Sequence, residues 1–202
     1  MWALVESGSI TKFINSPKGL VIGDVRYSKK IFQLWSKSEL EAKGIYEVEM
    51  DNSKRKSEEW YINTNVTYAF GSGKVTGSYG DATAKAHADT LFTAQDETDG
   101  LGTEGEVKDR GLKYNLIRTV KKQAAQILQD TDWYITRKAD AGTAVPSSIT
   151  NHRAAVRTKA AEMETSITNA SDTPALQTFY TYTEQEDGSV TRPLGELPTL
   201  ES

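Results

Sequence analysis

Residues 112–134, LKYNLIRTVKKQAAQILQDTDWY, decide how the C-terminal half of this chain folds. Apolar side chains recur there every three to four positions, which predicts an amphipathic helix whose apolar stripe is formed by Leu112, Leu116, Val120, Ala124, Ile127 and Leu128. The run Asp130–Asp132 interrupts this pattern, because Asp and Thr side chains compete for backbone donors. We therefore predict a helix that breaks at Thr131, directly before the aromatic pair Trp133 and Tyr134.

A second amphipathic helix is predicted downstream of this break. Gly142 suits the end of a short helical continuation, and Pro146 suits the start of the next helix. The apolar positions of that helix share one face and consist of Ile149, Val156, Ala160, Met163 and Ile167. We expect residues 109–182 to form a helical hairpin whose apolar seam needs a partner surface. Pro193 and Pro198 indicate that residues 183–202 form an extended C-terminal strap.

The first 94 residues favour short strands and hairpins. Trp2–Val5 and Ile10–Ile14 flank a Ser-Gly turn, and these two segments predict a β-hairpin. Val66–Phe70 and Lys74–Tyr79 flank a Gly-Ser-Gly turn and predict a second one. The N-terminal part is therefore expected to be a β-rich domain.

Between these hairpins the chain changes from helix to strand. Ser36 and Glu39 have the spacing of a capping box, and Gly44 suits the end of the short helix that Ser36 begins. In the following strand, alternation predicts that one face is buried, and that face carries Tyr46, Val48 and Met50.

Residues 95–108 are acidic and rich in glycine, which predicts a mobile linker. The expected domains are a β-rich domain at 1–94, the linker at 95–108, a helical-hairpin domain at 109–182 and an extended tail at 183–202. This organisation belongs to the α+β class, in which strands and helices are segregated along the chain.

The composition excludes several kinds of site and partner. The 202 residues contain no cysteine, so disulfides, thiolate metal sites and cysteine nucleophiles are excluded. Binding to nucleic acid in general needs a basic surplus, whereas the net charge here is -4. The sequence has neither an apolar run of membrane-spanning length nor a signal-peptide pattern. We expect a soluble, non-secreted protein with no nucleic-acid and no membrane partner.

Motifs associated with cofactors and metals occur in unsuitable contexts. Residues 100–105 match the dinucleotide-binding fingerprint, but the acidic residues before them do not form the buried strand that this motif requires. The same loop fits a calcium-binding template, although Gln95 stands at the leading carboxylate position, so cation binding stays open. His87 and His152 are too few for a usual zinc site. We predict no catalytic residue, no cofactor and no enzymatic activity.

The aromatic residues allow two interpretations. The tryptophans are interpreted as core or interface anchors, and Trp133 is expected to fill a large site at the helix junction. Trp60 and Tyr61, together with Tyr68 and Tyr79, also fit an aromatic face for carbohydrate. Packing between the hairpins explains the same residues.

The helix break and the second helix carry a resemblance to a known family. The residues are Leu128-x-x-Thr131-Asp132-Trp133, then Arg137, Val145-Pro146 and His152-Arg153-x-x-Val156-Arg157. They resemble the C-terminal segment of bacteriophage tail fibre assembly proteins and of their relatives in marine phage genomes. In that family a Thr-Asp-Trp turn precedes a Tyr-Arg-x-x-Leu-Arg helix, so His152 and Val156 are departures here. The N-terminal residues are more loosely similar to uncharacterised marine phage proteins.

This resemblance covers residues 112–180 and implies a non-enzymatic phage protein that helps tail fibres to fold or attach. It implies other phage tail proteins as partners, a symmetric homo- or hetero-oligomer, and retention in the virion tail after assembly in the host cytoplasm. The alternatives are a virion structural module unrelated to fibres, such as a tail adaptor or capsid-surface protein, and a carbohydrate-binding domain. The residues expected to contact the partner are Trp133, Tyr134, Arg137, Arg153, Val156, Met163, Leu194 and Leu197.

Overall fold

The protein is α+β, with a strand-rich N-terminal part followed by helices. A computed structural model describes residues 1–200, which form two compact units, Met1–Thr83 and a second unit that begins at Ala84. The elements of the first unit are β1 (Trp2–Glu6), β2 (Ser9–Ile14), β3 (Leu20–Ile22), β4 (Val25–Tyr27), α1 (Ile31–Leu34), α2 (Lys37–Glu41), β5 (Ile45–Asp51), β6 (Tyr61–Ile62), β7 (Thr67–Gly71) and β8 (Lys74–Ser78). The short strand β9 (Thr83–Ala84) lies at the boundary.

Five strands of the first unit form one sheet in the order β2-β1-β5-β8-β7. Strands β5 and β8 are parallel, and the other neighbours are antiparallel. Both predicted hairpins are confirmed, β1 with β2 and β7 with β8. Their turns consist of Ser7 with Gly8 and of Ser72 with Gly73, and all four residues have positive φ, as a tight I′ turn requires.

Two hydrophobic clusters pack on opposite faces of this sheet. Because neighbouring strand residues point to opposite faces, Leu4 and Ile45 join one cluster, whereas Val5 and Tyr46 join the other. Ile45 is fully buried because Leu40 of α2 belongs to the cluster on its side. The predicted face of β5 is confirmed at Tyr46 and Val48, which pack against the second cluster, and is wrong at Met50. Both faces pack near its start, and Met50 at its end is exposed.

The predicted capping box fixes the start of α2. The Ser36 hydroxyl accepts a hydrogen bond from the Glu39 amide, and the Glu39 carboxylate accepts one from the Ser36 amide at 2.7 Å. The bond from the Ser36 amide lowers the pKa of Glu39. Gly44 follows this helix with a φ of +77°, and its carbonyl oxygen accepts a hydrogen bond from the Val5 amide at 2.7 Å. A Cβ at Gly44 would collide with the Val5 carbonyl oxygen.

We predict that Gly44→Ala lowers the free energy of unfolding by about 3 kcal/mol, through backbone strain and the collision with Val5. The matched control is Gly8→Ala. Gly8 has a similar φ of +79° but open space at its Cβ position, so its loss should be only about 1 kcal/mol. Urea denaturation of both variants measures the difference, and equal losses would contradict the predicted collision.

The second unit contains the main helices. Its elements are β10 (Thr90–Leu91), α3 (Ala94–Thr98), β11 (Val107–Asp109), α4 (Leu112–Gln129), α5 (Asp132–Ala141), α6 (Ser147–Asn169), α7 (Thr173–Tyr180), β12 (Thr183–Glu184) and β13 (Val190–Thr191). Helices α4 and α6 pack against each other, which confirms the predicted helical hairpin. Val120 and Ala124 of α4 are buried, as are all five predicted apolar positions of α6.

The second unit starts before the predicted boundary because residues 85–87 bond to helices α4 and α7. The amides of Leu112 and Lys113 donate to the carbonyl oxygens of Ala86 and His87. The Thr173 hydroxyl of α7 donates to the Lys85 carbonyl oxygen at 2.6 Å. These bonds attach the segment to the starts of both α4 and α7.

The stretch predicted as a linker also contains regular structure. Thr93 and Asp96 form a capping box at the start of α3, and β10 pairs with β11. Asp96 is further paired with Lys108 at 2.7 Å across the loop. The pairing of β10 with β11 and of Asp96 with Lys108 joins residues distant in sequence, which local composition does not reveal.

Part of the predicted strap folds as a hairpin. Strands β12 and β13 pair with each other, and residues 192–200 follow them as an irregular segment with a turn at Pro193 and Leu194. Leu194 is buried, and its amide donates to the Phe179 carbonyl oxygen. The strap is thus attached to its own unit at this point.

Protonation of Asp96 should loosen the start of α3. The bond from Lys108, followed by those from Thr93, lowers its pKa from 3.8 to about 2. Because the folded pKa lies below the unfolded value, the stabilisation is complete above the unfolded pKa and disappears as the pH falls through about 2. We predict a carboxyl NMR titration of Asp96 with its midpoint near 2, and an upward shift in Lys108→Met. An unchanged midpoint in that variant would contradict the role of Lys108.

A candidate partner-binding surface at the helix break

The chain leaves α4 through a tight turn centred on Thr131. The Thr131 amide and hydroxyl both donate to the Leu128 carbonyl oxygen, at 3.1 and 3.0 Å. Thr131 is only 2% exposed. The last turn of α4 is therefore closed by Thr131 itself, and α5 begins at the next residue.

Arg153 of α6 connects both sides of this break. Its Nη1 donates to the Leu128 carbonyl oxygen and to the Thr131 hydroxyl, each at 2.7 Å. Its Nη2 pairs with Asp132, in the first turn of α5, at 2.8 Å. A cation at the end of α4 and an anion at the start of α5 both complement the helix dipoles. The break is consequently held by one arginine from another helix.

This geometry corrects the expected role of Arg153. The residue is 7% exposed and bonds within its own unit, so it is not part of an accessible contact surface. Its position on the same face of α6 as Ile149 and Val156, at helical spacing, is the sequence signal that indicates burial.

Past the break, α5 presents an aromatic and cationic cluster. The rings of Trp133 and Tyr134 are 4.1 Å apart between centroids. The Arg137 guanidinium lies 4.7 Å from the Trp133 ring and 5.9 Å from the Tyr134 ring. Such contacts between a cation and an aromatic face are favourable and orient the guanidinium. We call Trp133, Tyr134, Ile135 and Arg137 the α5 cluster.

The prediction that Trp133 fills a large buried site at the helix junction is wrong. Trp133 is 52% exposed, and Ile135 beside it is exposed as well. Thr131 and Arg153 fill the junction with their hydrogen bonds, and Trp133 and Ile135, which follow the turn, are exposed. An exposed tryptophan next to an arginine is the composition typical of binding hot spots.

The other predicted contact residues separate into two groups. Val156, Met163 and Leu194 are buried in the core of the second unit, so their expected contact with a partner is corrected. Their apolar character reflects packing within the chain. Leu197 is half-buried and lines a cavity of about 350 Å³ with Ile127, Asp130 and other residues of α4 and the strap.

The strap beside this cavity is fixed by Arg192. This side chain pairs with Glu196 at 2.7 Å, and its guanidinium lies 5.1 and 5.3 Å from the rings of Tyr180 and Tyr182. The Tyr182 hydroxyl donates to Glu196 at 2.6 Å, and this bond raises the pKa of Tyr182. Sequence reasoning did not identify this cluster, since its members lie on separate elements.

The structure places the other candidate sites as follows. Trp60 and Tyr61 are buried, so they do not form the exposed face that carbohydrate stacking requires. Gly100 follows helix α3, whereas the dinucleotide fingerprint requires a strand there. Within residues 1–200, no group of three or more histidine, aspartate or glutamate side chains is arranged to hold a metal ion. No helix in this range is long and apolar enough to span a membrane.

Comparisons with protein-family models, with curated proteins and with solved structures gave no match.

We predict that Arg153→Met lowers the free energy of unfolding by about 2 kcal/mol, because it removes the charged donor that the Leu128 carbonyl and the Thr131 hydroxyl share and leaves Asp132 without its ion-pair partner. Arg118→Met is the matched control on the exposed side of α4 and should change it by less than about 0.5 kcal/mol. Urea denaturation measures both. An Arg153→Met protein as stable as the wild type would show that the break is held by other contacts.

Proposed function

We propose that this protein is a non-enzymatic, tail-associated bacteriophage protein. It binds tail fibre or other tail components during assembly or attachment and is retained in the virion. The α5 cluster is the contact surface, and the helical hairpin is the scaffold that positions it.

One observation supports this proposal most directly. The residues that resemble tail fibre assembly proteins are dispersed in sequence, yet Leu128, Thr131, Asp132 and Arg153 form one bonded network. That network places Trp133 at the surface immediately after the turn. The residues of the resemblance thus form one local structure that leaves Trp133 exposed, which supports its proposed role in binding a partner.

A virion structural module unrelated to fibres remains the second candidate. It uses the same exposed cluster, and only the identity of the partner differs. The carbohydrate-binding alternative loses its support, because Trp60 and Tyr61 are buried. Mass spectrometry of purified particles, with the copy number per virion, distinguishes a permanent component from a transient assembly factor.

We predict that Trp133→Ala weakens capture of the tail partner at least about 30-fold, as expected for a hot-spot tryptophan. Because the side chain is half exposed, the same change should lower the free energy of unfolding by only about 1 kcal/mol. Quantitative pull-down of identified tail proteins measures binding, and thermal unfolding measures stability. The matched control is Tyr114→Ala, since Tyr114 is also exposed and has Arg110 at 4.2 Å from its ring. Equal capture by the Trp133→Ala protein and the wild type would remove the α5 cluster from the proposal.

A further inference from the structure

Arg137 differs from the other arginines that lie over aromatic rings, because it has no carboxylate partner within residues 1–200. In the part of the chain that the structure describes, four arginines lie over aromatic rings: Arg55, Arg110, Arg137 and Arg192. Three of them also pair with a carboxylate, namely Glu58, Asp89 and Glu196, at 2.6 to 2.7 Å. Within residues 1–200, Arg137 has no carboxylate within 4.0 Å, and its Nε is buried without an acceptor. Its guanidinium is oriented by two rings but lacks an anion.

An unpaired guanidinium of this kind is suited to bind a carboxylate. Arginine donates through a planar fork that matches the two oxygens of that group. Trp133 and Ile135 are exposed beside it, so the complementary surface should carry an acidic side chain next to an apolar one. A partly desolvated pair gains more from this match than a pair in open solvent.

The β12–β13 hairpin of the same chain has these properties. Glu184 lies directly opposite Val190, and directly opposed residues project from the same face of a hairpin. Val190 is 59% exposed, and Tyr182 next to the hairpin is 53% exposed. Glu184 and Glu186 are exposed, and neither has an ion-pair partner among residues 1–200. The hairpin thus combines a free carboxylate with exposed apolar side chains.

We propose that copies of this protein associate head to tail, with the Arg137 guanidinium of one copy binding the Glu184 carboxylate of the next. Val190 and Tyr182 then pack against Trp133 and Ile135. The two surfaces differ, so the contact is heterologous and generates a closed ring or an open chain of subunits. The inference rests on the proposed function, because it takes the α5 cluster as the contact surface, and it names a second copy of this chain as the tail component that occupies the cluster.

The first test is sedimentation velocity of the full chain at several concentrations and salt levels. We expect association that weakens as salt rises from about 0.05 to 0.5 M, because exposed parts of the charge pair are screened. A chain that remains monomeric throughout at high protein concentration and low salt would overturn the proposal.

The second test uses two conservative variants that each remove one surface. Arg137→Gln and Glu184→Gln should each weaken self-association at least about tenfold. Arg118→Gln is the matched control, since Arg118 is exposed on α4 away from the cluster. Circular dichroism and thermal unfolding verify that each variant is folded.

Mixing the variants separates a heterologous contact from a symmetric one. The Arg137→Gln protein keeps an intact hairpin, and the Glu184→Gln protein keeps an intact α5 cluster. An equimolar mixture should therefore form a 1:1 heterodimer that does not extend further. Wild-type association by the Glu184→Gln protein would overturn the proposal, because Glu184 would then not be the carboxylate that binds Arg137. Either result is independent of virion incorporation, which mass spectrometry of particles determines separately.

Discussion

The Arg153 guanidinium satisfies three groups at the interruption between α4 and α5: the Leu128 carbonyl, the Thr131 hydroxyl and the Asp132 carboxylate. A helix that ends inside a packed unit leaves carbonyl groups without donors, and such groups are costly when they are buried. Here Thr131 donates to the Leu128 carbonyl, and α6, the helix that packs against α4, supplies a further, charged donor to the same oxygen. Packing of the two helices and the change of direction after α4 therefore depend on the same side chain.

The interruption also determines what the surface displays. Because α5 begins immediately after Thr131, Trp133 and Arg137 are one helical turn apart, at positions i and i+4, where side chains meet. The guanidinium consequently lies over the indole ring. The hydrogen-bonded network around Arg153 and the exposed α5 cluster therefore both depend on the position of this break. Only the network contributes to the core.

Periodicity and turn chemistry predicted the elements well, because both are local properties. The stripe of α4, the apolar face of α6, the Ser36 capping box and the two tight turns all appear at the expected positions. The site was harder to predict. The helical spacing of Arg153 with Ile149 and Val156 indicates its burial, but its bonds to Leu128 and Thr131 join residues more than twenty positions apart, which no local pattern encodes. The acidic stretch was assigned to a linker for the same reason, since the pairing of Asp96 with Lys108 is not a property of composition.

Arg137 and Arg153 show how one residue type takes opposite roles in this unit. Arg153 lies on an apolar helix face and is surrounded by acceptors from its own chain, so its charge is internally compensated. Arg137 is held by rings that supply orientation but no negative charge. A guanidinium forms its strongest contacts with carboxylates. The missing compensation of Arg137 within residues 1–200 is the basis of the proposed contact with a second copy, whose hairpin carries Glu184 opposite the exposed Val190.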